Sequence, residues 1–255
     1  MAPPYATVYV FDRESEIVEA AIRLWTRAFE ESLGPRGRFC AALSGGKTPL
    51  PFYRELVRQS RPDSWRRTHL FLADERFGPP DHPESNGRMI VEVLARPAGV
   101  PAENVHLVSL NRETVEESAN IYEESLQGIF RLNRGDYPVF DFILLGVGED
   151  GHTASLFPGT SALEETGKAV AAVKLKAARR DRVTLTLPVL NRGRGVVFLV
   201  CGEEKAEVVR KVIVERHSSL PAARVQPQSG GPTFLVDRLA GKLLPPGFQR
   251  RRSFS

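Results

Sequence analysis

The chain has 255 residues, of which 42% are hydrophobic and 26% charged, a globular composition that excludes a fibre or a disordered tail. Its net charge of +4 permits an anionic partner but is too small for nucleic-acid coating. Two cysteines, Cys40 and Cys201, exclude a disulfide framework and a four-cysteine zinc site, and their apolar settings predict buried, reduced thiols.

Strand-like and helix-like segments alternate along the chain. Thr7 to Phe11 predicts a strand, and the helical spacing of Ile17, Ala21, Leu24 and Ala28 predicts a helix stopped at Gly34-Pro35. Phe39 to Leu43 is a second strand, followed by a helix with Pro49 or Pro51 in its first turn. His69 to Ala73 is a strand, Ser85 to Leu94 a helix, Asn104 to Leu107 a weak strand and Val115 to Leu132 an amphipathic helix. Phe140 to Leu145 is the strongest strand, a continuous apolar run expected to be buried on both faces. Val170 to Val173, Val183 to Leu187 and Gly195 to Cys201 are further strands; Ala206 to Val214 is a helix; Phe234 to Val236 is a last strand before a closing helix. Arg250 to Arg252 reads as a frayed, solvated end. This alternation predicts one α/β domain over 1–255, a doubly wound, mainly parallel, Rossmann-like sheet with helices on both faces. No stretch reaches the roughly 18 apolar residues of a membrane helix, and Met1 to Tyr5 has no signal-peptide pattern. A cytoplasmic protein with no membrane or nucleic-acid partner is expected.

In such sheets ligands bind beyond the carboxyl ends of the strands, so the loops there carry the information. After Leu43 stands Ser44-Gly45-Gly46-Lys47-Thr48, which serves either as a tight strand–helix turn or as an anion cradle of backbone N–H groups. A nucleoside-triphosphate loop does not fit: Ala41 stands where the first glycine is required, inside the strand. After Ala73 stands Asp74-Glu75-Arg76, either a solvated corner or a place where Arg76 meets a phosphate or carboxylate. Asp74, Glu75 and Asn86 are further substrate-contact candidates, Asn86 following Ser85 as a helix-cap pair. Asp81 and His82 lack a second ligand pair, so no metal is expected.

After Leu145 comes Gly146-Val147-Gly148-Glu149-Asp150-Gly151-His152-Thr153-Ala154-Ser155. Glycines make the turn, and Asp150 precedes His152 by two residues. Imidazole suits proton transfer near neutrality, and a neighbouring carboxylate can fix its tautomer. Gly148 is a substrate-contact candidate in the same loop. Lys205, after Gly202, and Arg182, entering a strand, are each either surface cations or anion ligands. No Gly-x-Ser-x-Gly elbow supports a serine nucleophile at Ser155.

Six of these segments occur together and in order: LSGGKTP (Leu43 to Pro49), DER (Asp74 to Arg76), SN (Ser85-Asn86), LLGVGEDGHTASLFPG (Leu144 to Gly159), RVTLTLPVLN (Arg182 to Asn191) and GEEKA (Gly202 to Ala206). Through them nearly the whole chain resembles the 6-phosphogluconolactonase family, of the superfamily shared with glucosamine-6-phosphate deaminases. The resemblance implies a doubly wound α/β fold and cofactor-free hydrolysis of 6-phosphogluconolactone to 6-phosphogluconate in the oxidative pentose phosphate pathway. It implies His152 as general base with Asp150 as its partner. Phosphate is then held by Ser44, Gly45 and Gly46 with Arg76, Arg182 and Lys205. Lys47 departs from the usual Ser or Thr and either adds a phosphate contact or points to solvent. Phe234 is nearby where the family often has Trp before the late strand's Asp, a packing change. Deaminases carry a Glu before the proline of this region, where Phe157 precedes Pro158 here, so hydrolysis is favoured over amine chemistry. A non-catalytic sugar-phosphate sensor is the rival from another class, disfavoured by the presence of His152. A small phosphorylated sugar lactone is the expected partner, and a monomer is favoured.

Overall fold

The computed structural model describes residues 5–175 and 180–246; the Arg250 to Arg252 tail lies outside them. Among the described residues, ten strands form two sheets. They are β1 (Thr7–Phe11), β2 (Phe39–Leu43), β3 (Thr68–Leu72), β4 (Asp74–Arg76), β5 (Val105–His106), β6 (Phe142–Leu145), β7 (Val170–Val173), β8 (Arg182–Leu185), β9 (Val196–Val200) and β10 (Thr233–Asp237). Seven of them make a parallel sheet in the order β1-β10-β9-β6-β2-β3-β5, as the α/β reading expects. The central strands β2, β6 and β9 are buried at every position, which is why their sequences are unbroken apolar runs.

Helices cover both faces. Trp25 of helix Glu14–Arg36 packs edge-on to Phe39 at 4.7 Å and to Phe142 at 5.3 Å. Strand residues alternate faces, and Phe71, in register with Ala42, contacts Phe130 of helix Val115–Phe130 at 5.5 Å. Tyr122 of that helix donates to the carbonyl of Leu72 and accepts its N–H, both at 2.9 Å, closing the end of β3.

The structure departs from the sequence reading at four places. The first helix runs through Gly34-Pro35 to Arg36 and ends at Gly37, whose φ of 68° is left-handed. A proline at 35 has no N–H for the carbonyl of Glu31; Arg36 Nη2 approaches that carbonyl at 3.3 Å instead. The helix expected over Ser85 to Leu94 continues through a π turn at Val91–Ala95 into Arg96–Ala98. The wider turn sends the Arg96 N–H to the Val91 carbonyl, so the helix admits Pro97 without a break. Among the described residues up to Leu244, the chain after β10 makes hydrogen-bonded turns, Gly241 N–H to Asp237 O and Leu244 N–H to Gly241 O, where a closing helix was expected.

The fourth departure matters most for the site. β7 and β8 leave the main sheet and pair antiparallel with each other and with β4, giving a small sheet β4-β8-β7. Only Ala73 separates β3 from β4. Its N–H goes to Leu43 O at 2.8 Å in the main sheet, while its carbonyl accepts from Leu185 at 2.9 Å in the small one. The second sheet therefore starts at the carboxyl end of the first. The buried apolar side chains of both sheets belong to one cluster.

Candidate active site

From β2 the chain proceeds outward to β3 and β5 on one side, and from β6 outward to β9 and β10 on the other. The change of direction between β2 and β6 leaves a crevice at their carboxyl ends. A cavity of about 110 Å³ opens there, lined among others by Ser44, Gly45, Thr48, Gly146, Cys201 and Lys205. Ser44 turns its carbonyl to the Tyr53 hydroxyl at 2.7 Å, and its own Oγ is buried with no hydrogen-bond partner. Gly46 has φ of 96°, a left-handed turn that favours glycine. Lys205 is half-buried in the turn Glu203–Lys205 that leads into helix Ala206–Ile213. Lys47 is exposed and does not line this cavity, whereas Thr48, the second hydroxyl residue of the same loop, does. Cys40 is buried and Cys201 half-buried. Burial, with the charge of Asp237 second, pushes the Cys201 thiol up to about 12, far from a nucleophilic thiolate.

The loop after β6 holds the histidine by its backbone. Gly148 N–H donates to His152 O and Gly151 N–H to Gly148 O, each at 2.9 Å. Gly148 is required by contact: a methyl group there would stand 2.0 Å from Nδ1 of His152. Asp150 Oδ1 lies 2.5 Å from His152 Nδ1 and accepts the His152 N–H at 3.1 Å. Burial works to raise the Asp150 carboxyl, but the charge and hydrogen bonds of His152 outweigh it and hold it below the usual carboxylate range. The imidazole packs against Phe157, ring centroids 4.5 Å apart. With Nδ1–H given to Asp150, Nε2 carries the lone pair and can take a proton.

The small sheet contributes the arginines. Arg76 and Arg182 stand opposite each other in the β4–β8 register. Arg76 Nη1 donates to Glu84 O at 2.6 Å, yet Arg76 Nε and Arg182 Nη1 are buried without hydrogen-bond partners. Burial and then the charge of Arg76 lower the Arg182 pKa. Two adjacent guanidinium groups with unused buried donors make a place where an anion is stabilised.

The solvated-corner reading of Asp74-Glu75-Arg76 fails, because Asp74 is 8% and Glu75 1% exposed. Glu75 accepts from Arg76 N–H at 2.6 Å, Ser85 Oγ at 2.9 Å, Asn86 N–H at 2.9 Å and Gly87 N–H at 2.7 Å. It caps the helix that starts at Asn86, against a burial effect that raises its carboxyl. Asp74 and Asn86, read from the sequence as substrate contacts, are hydrogen-bonded to each other and to buried neighbours. Among the described residues no three His, Cys, Asp or Glu side chains are grouped as metal ligands. No helix among them is long and apolar enough to cross a membrane. A larger cavity of about 530 Å³ opens at the amino ends of the strands. It is lined by Arg36, Asp141 and Arg194, each arginine pairing with Asp141, and lies at the pole opposite the histidine loop.

The family model for glucosamine-6-phosphate isomerases/6-phosphogluconolactonase matches residues 12–234. The chain belongs to this family of enzymes. It is 38% identical to a 6-phosphogluconolactonase of Synechocystis over 96% of this chain and 100% of that one. It is also 38% identical to a human 6-phosphogluconolactonase, over 98% of each. A crystal structure of 6-phosphogluconolactonase from Leishmania guyanensis superposes with a TM-score of 0.83 at 28% identity, covering 96% of this chain and 100% of that one.

Proposed function

We propose that this protein hydrolyses 6-phosphogluconolactone to 6-phosphogluconate, the second step of the oxidative pentose phosphate pathway, with His152 as general base. The observation that carries the reading is the Asp150–His152 pair, 2.5 Å apart on a glycine-framed loop, in a chain with full-length likeness to 6-phosphogluconolactonases. The substrate's phosphate is anchored by Ser44, Gly45 and Gly46 with Arg182 and Lys205, and a remote anchor places the lactone carbonyl for attack. His152 Nε2 takes a proton from water as the water oxygen bonds to C1. Charge on the carbonyl oxygen is met by Arg76 or backbone N–H groups of the glycine loops. The C1–ring oxygen bond then breaks, and the imidazolium returns its proton to the departing oxygen. The new carboxylic acid ionises, releasing one proton to solvent. A lactone is already an activated ester, so neither a covalent nucleophile nor a cofactor is required.

Phe157 supports hydrolysis over amine chemistry, since an apolar ring and not a second carboxylate lies against His152. The continuous apolar cluster shared by both sheets supports action as one domain, and we favour a cytoplasmic monomer. Freshly prepared 6-phosphogluconolactone decides the matter: proton release should exceed the spontaneous rate and fall close to that rate with His152→Ala. Ammonia release from glucosamine 6-phosphate, without lactone turnover, would overturn the reading.

A further inference from the structure

Two side chains distant from each other in sequence, Ser155 and Asn86, meet at the carboxylate of Asp74. Ser155 Oγ, three residues after His152, donates to Asp74 Oδ2 at 2.6 Å. Asn86 Nδ2 donates to the Asp74 carbonyl at 2.9 Å and approaches Oδ1 at 3.2 Å. The Asn86 amide in turn fills the space beside the anion loop: a methyl group on Gly45 would stand 1.8 Å from Asn86 Oδ1. Thr184, in register with Asp74 on β8, accepts the Ser155 N–H at 3.1 Å through its Oγ1. Asp74, Asn86 and Ser155 are 8%, 2% and 1% exposed. A buried carboxylate is costly unless hydrogen bonds compensate it, and such networks hold their members in one arrangement. The hydroxyl that satisfies Asp74 belongs to the histidine loop, and the amide, at the start of helix Asn86–Ile90, packs against Gly45 of the anion loop.

We propose that Asp74 is a positioning residue that sets the histidine loop through Ser155 and the anion loop through Asn86. The inference rests on the hydrolase reading above. The two arms separate kinetically, because one leads to the group that moves the proton and the other to the group that holds the phosphate. Displacement of a catalytic group by about 1 Å costs up to about 100-fold in rate, whereas a loosened anchor weakens binding of the substrate in all its states.

The test compares Ser155→Ala, Asn86→Ala and Asp74→Asn. Ser155→Ala should lower kcat about 10- to 100-fold with KM for 6-phosphogluconolactone within about twofold of the parent. Asn86→Ala should raise KM about tenfold with kcat within about threefold, and inorganic phosphate should bind it about tenfold more weakly in calorimetry while binding Ser155→Ala as it does the parent. Asp74→Asn should show both losses, and adding either arm's substitution to it should cost little more. Should Asp74→Asn not fold, the split between the two arms still decides. The inference is overturned if Ser155→Ala and Asn86→Ala change kcat and KM alike, as general loosening would, or if Asp74→Asn has wild-type kinetics. Wild-type protein without lactone turnover would sink the hydrolase reading itself, whereas an active wild type lacking the split would sink only the role of Asp74.

Discussion

Asp150 grips His152 twice, by the ring nitrogen Nδ1 at 2.5 Å and by the backbone N–H at 3.1 Å. One carboxylate oxygen therefore fixes both the tautomer of the imidazole and the turn that presents it. His152→Ala should lower kcat about 10²- to 10⁴-fold, with 6-phosphogluconate still binding in calorimetry. Asp150→Asn should also lower kcat, since an amide in place of the carboxylate no longer fixes the tautomer that leaves Nε2 free to take a proton. The wild-type carboxyl is held below its usual range, so its stabilising charge is present through neutrality and lost only as pH falls through that depressed value. Wild-type kcat in Asp150→Asn would refute the pairing.

Gly148 tests the same pair by contact alone. An added methyl group meets His152 Nδ1 at 2.0 Å and Asp150 Oδ1 at 2.8 Å. Gly148→Ala should reduce kcat at least as far as Asp150→Asn, because the ring must leave its place. Wild-type turnover by this variant would show that the imidazole need not stand where the structure puts it.

Arg182 faces Arg76 with a buried nitrogen unsatisfied. A charge-assisted hydrogen bond to phosphate is worth about 1.5–3 kcal/mol, so Arg182→Ala should lower kcat/KM roughly 10- to 150-fold. Lysine at this position should restore only part, having no planar fork. Initial rates across substrate concentrations provide the check, and an unchanged kcat/KM would remove Arg182 from the phosphate site.

His69 Nδ1 and His106 Nε2 lie 3.1 Å apart, their rings parallel to within 2°. Burial, then the charges of His69 and Arg38, push His106 down from 6.5 to about 4. A depressed histidine is neutral in the fold while the unfolded chain takes up a proton, so stability falls as pH drops from about 6.5 toward 4. Melting temperature measured across that window should decline in the parent and decline less in His106→Phe. Equal slopes would exclude His106 as a source of acid sensitivity.

Glu75 receives four donors at the start of the helix behind Arg76. Glu75→Gln keeps the shape but turns one acceptor into a donor facing backbone N–H groups. About 1–3 kcal/mol of stability should be lost in denaturant titration, the cost of a buried donor left unsatisfied. A midpoint equal to that of the parent would mean the cap is replaceable by solvent.

Periodicity and loop chemistry were local enough to read without coordinates. The continuous apolar run Phe140 to Leu145 announces a strand buried on both faces, and β6 within it is buried at every position. The Asp150–His152 spacing announces that these two side chains meet, because they lie within one turn of chain. Tertiary structure decided what depends on partners far away in sequence. Whether Val170–Val173 and Arg182–Leu185 join the parallel sheet or build a second one is set by the bend at Ala73 and pairing with Asp74–Arg76, which no period reveals. The charges of Asp74 and Glu75 read as a solvated corner until their donors from Ser155, Ser85, Asn86 and Gly87 close around them. The overall charge of +4 said only that an anion was possible. Packing placed Arg76 beside Arg182 with donors unused, because burial in the fold removes the water that would otherwise satisfy them.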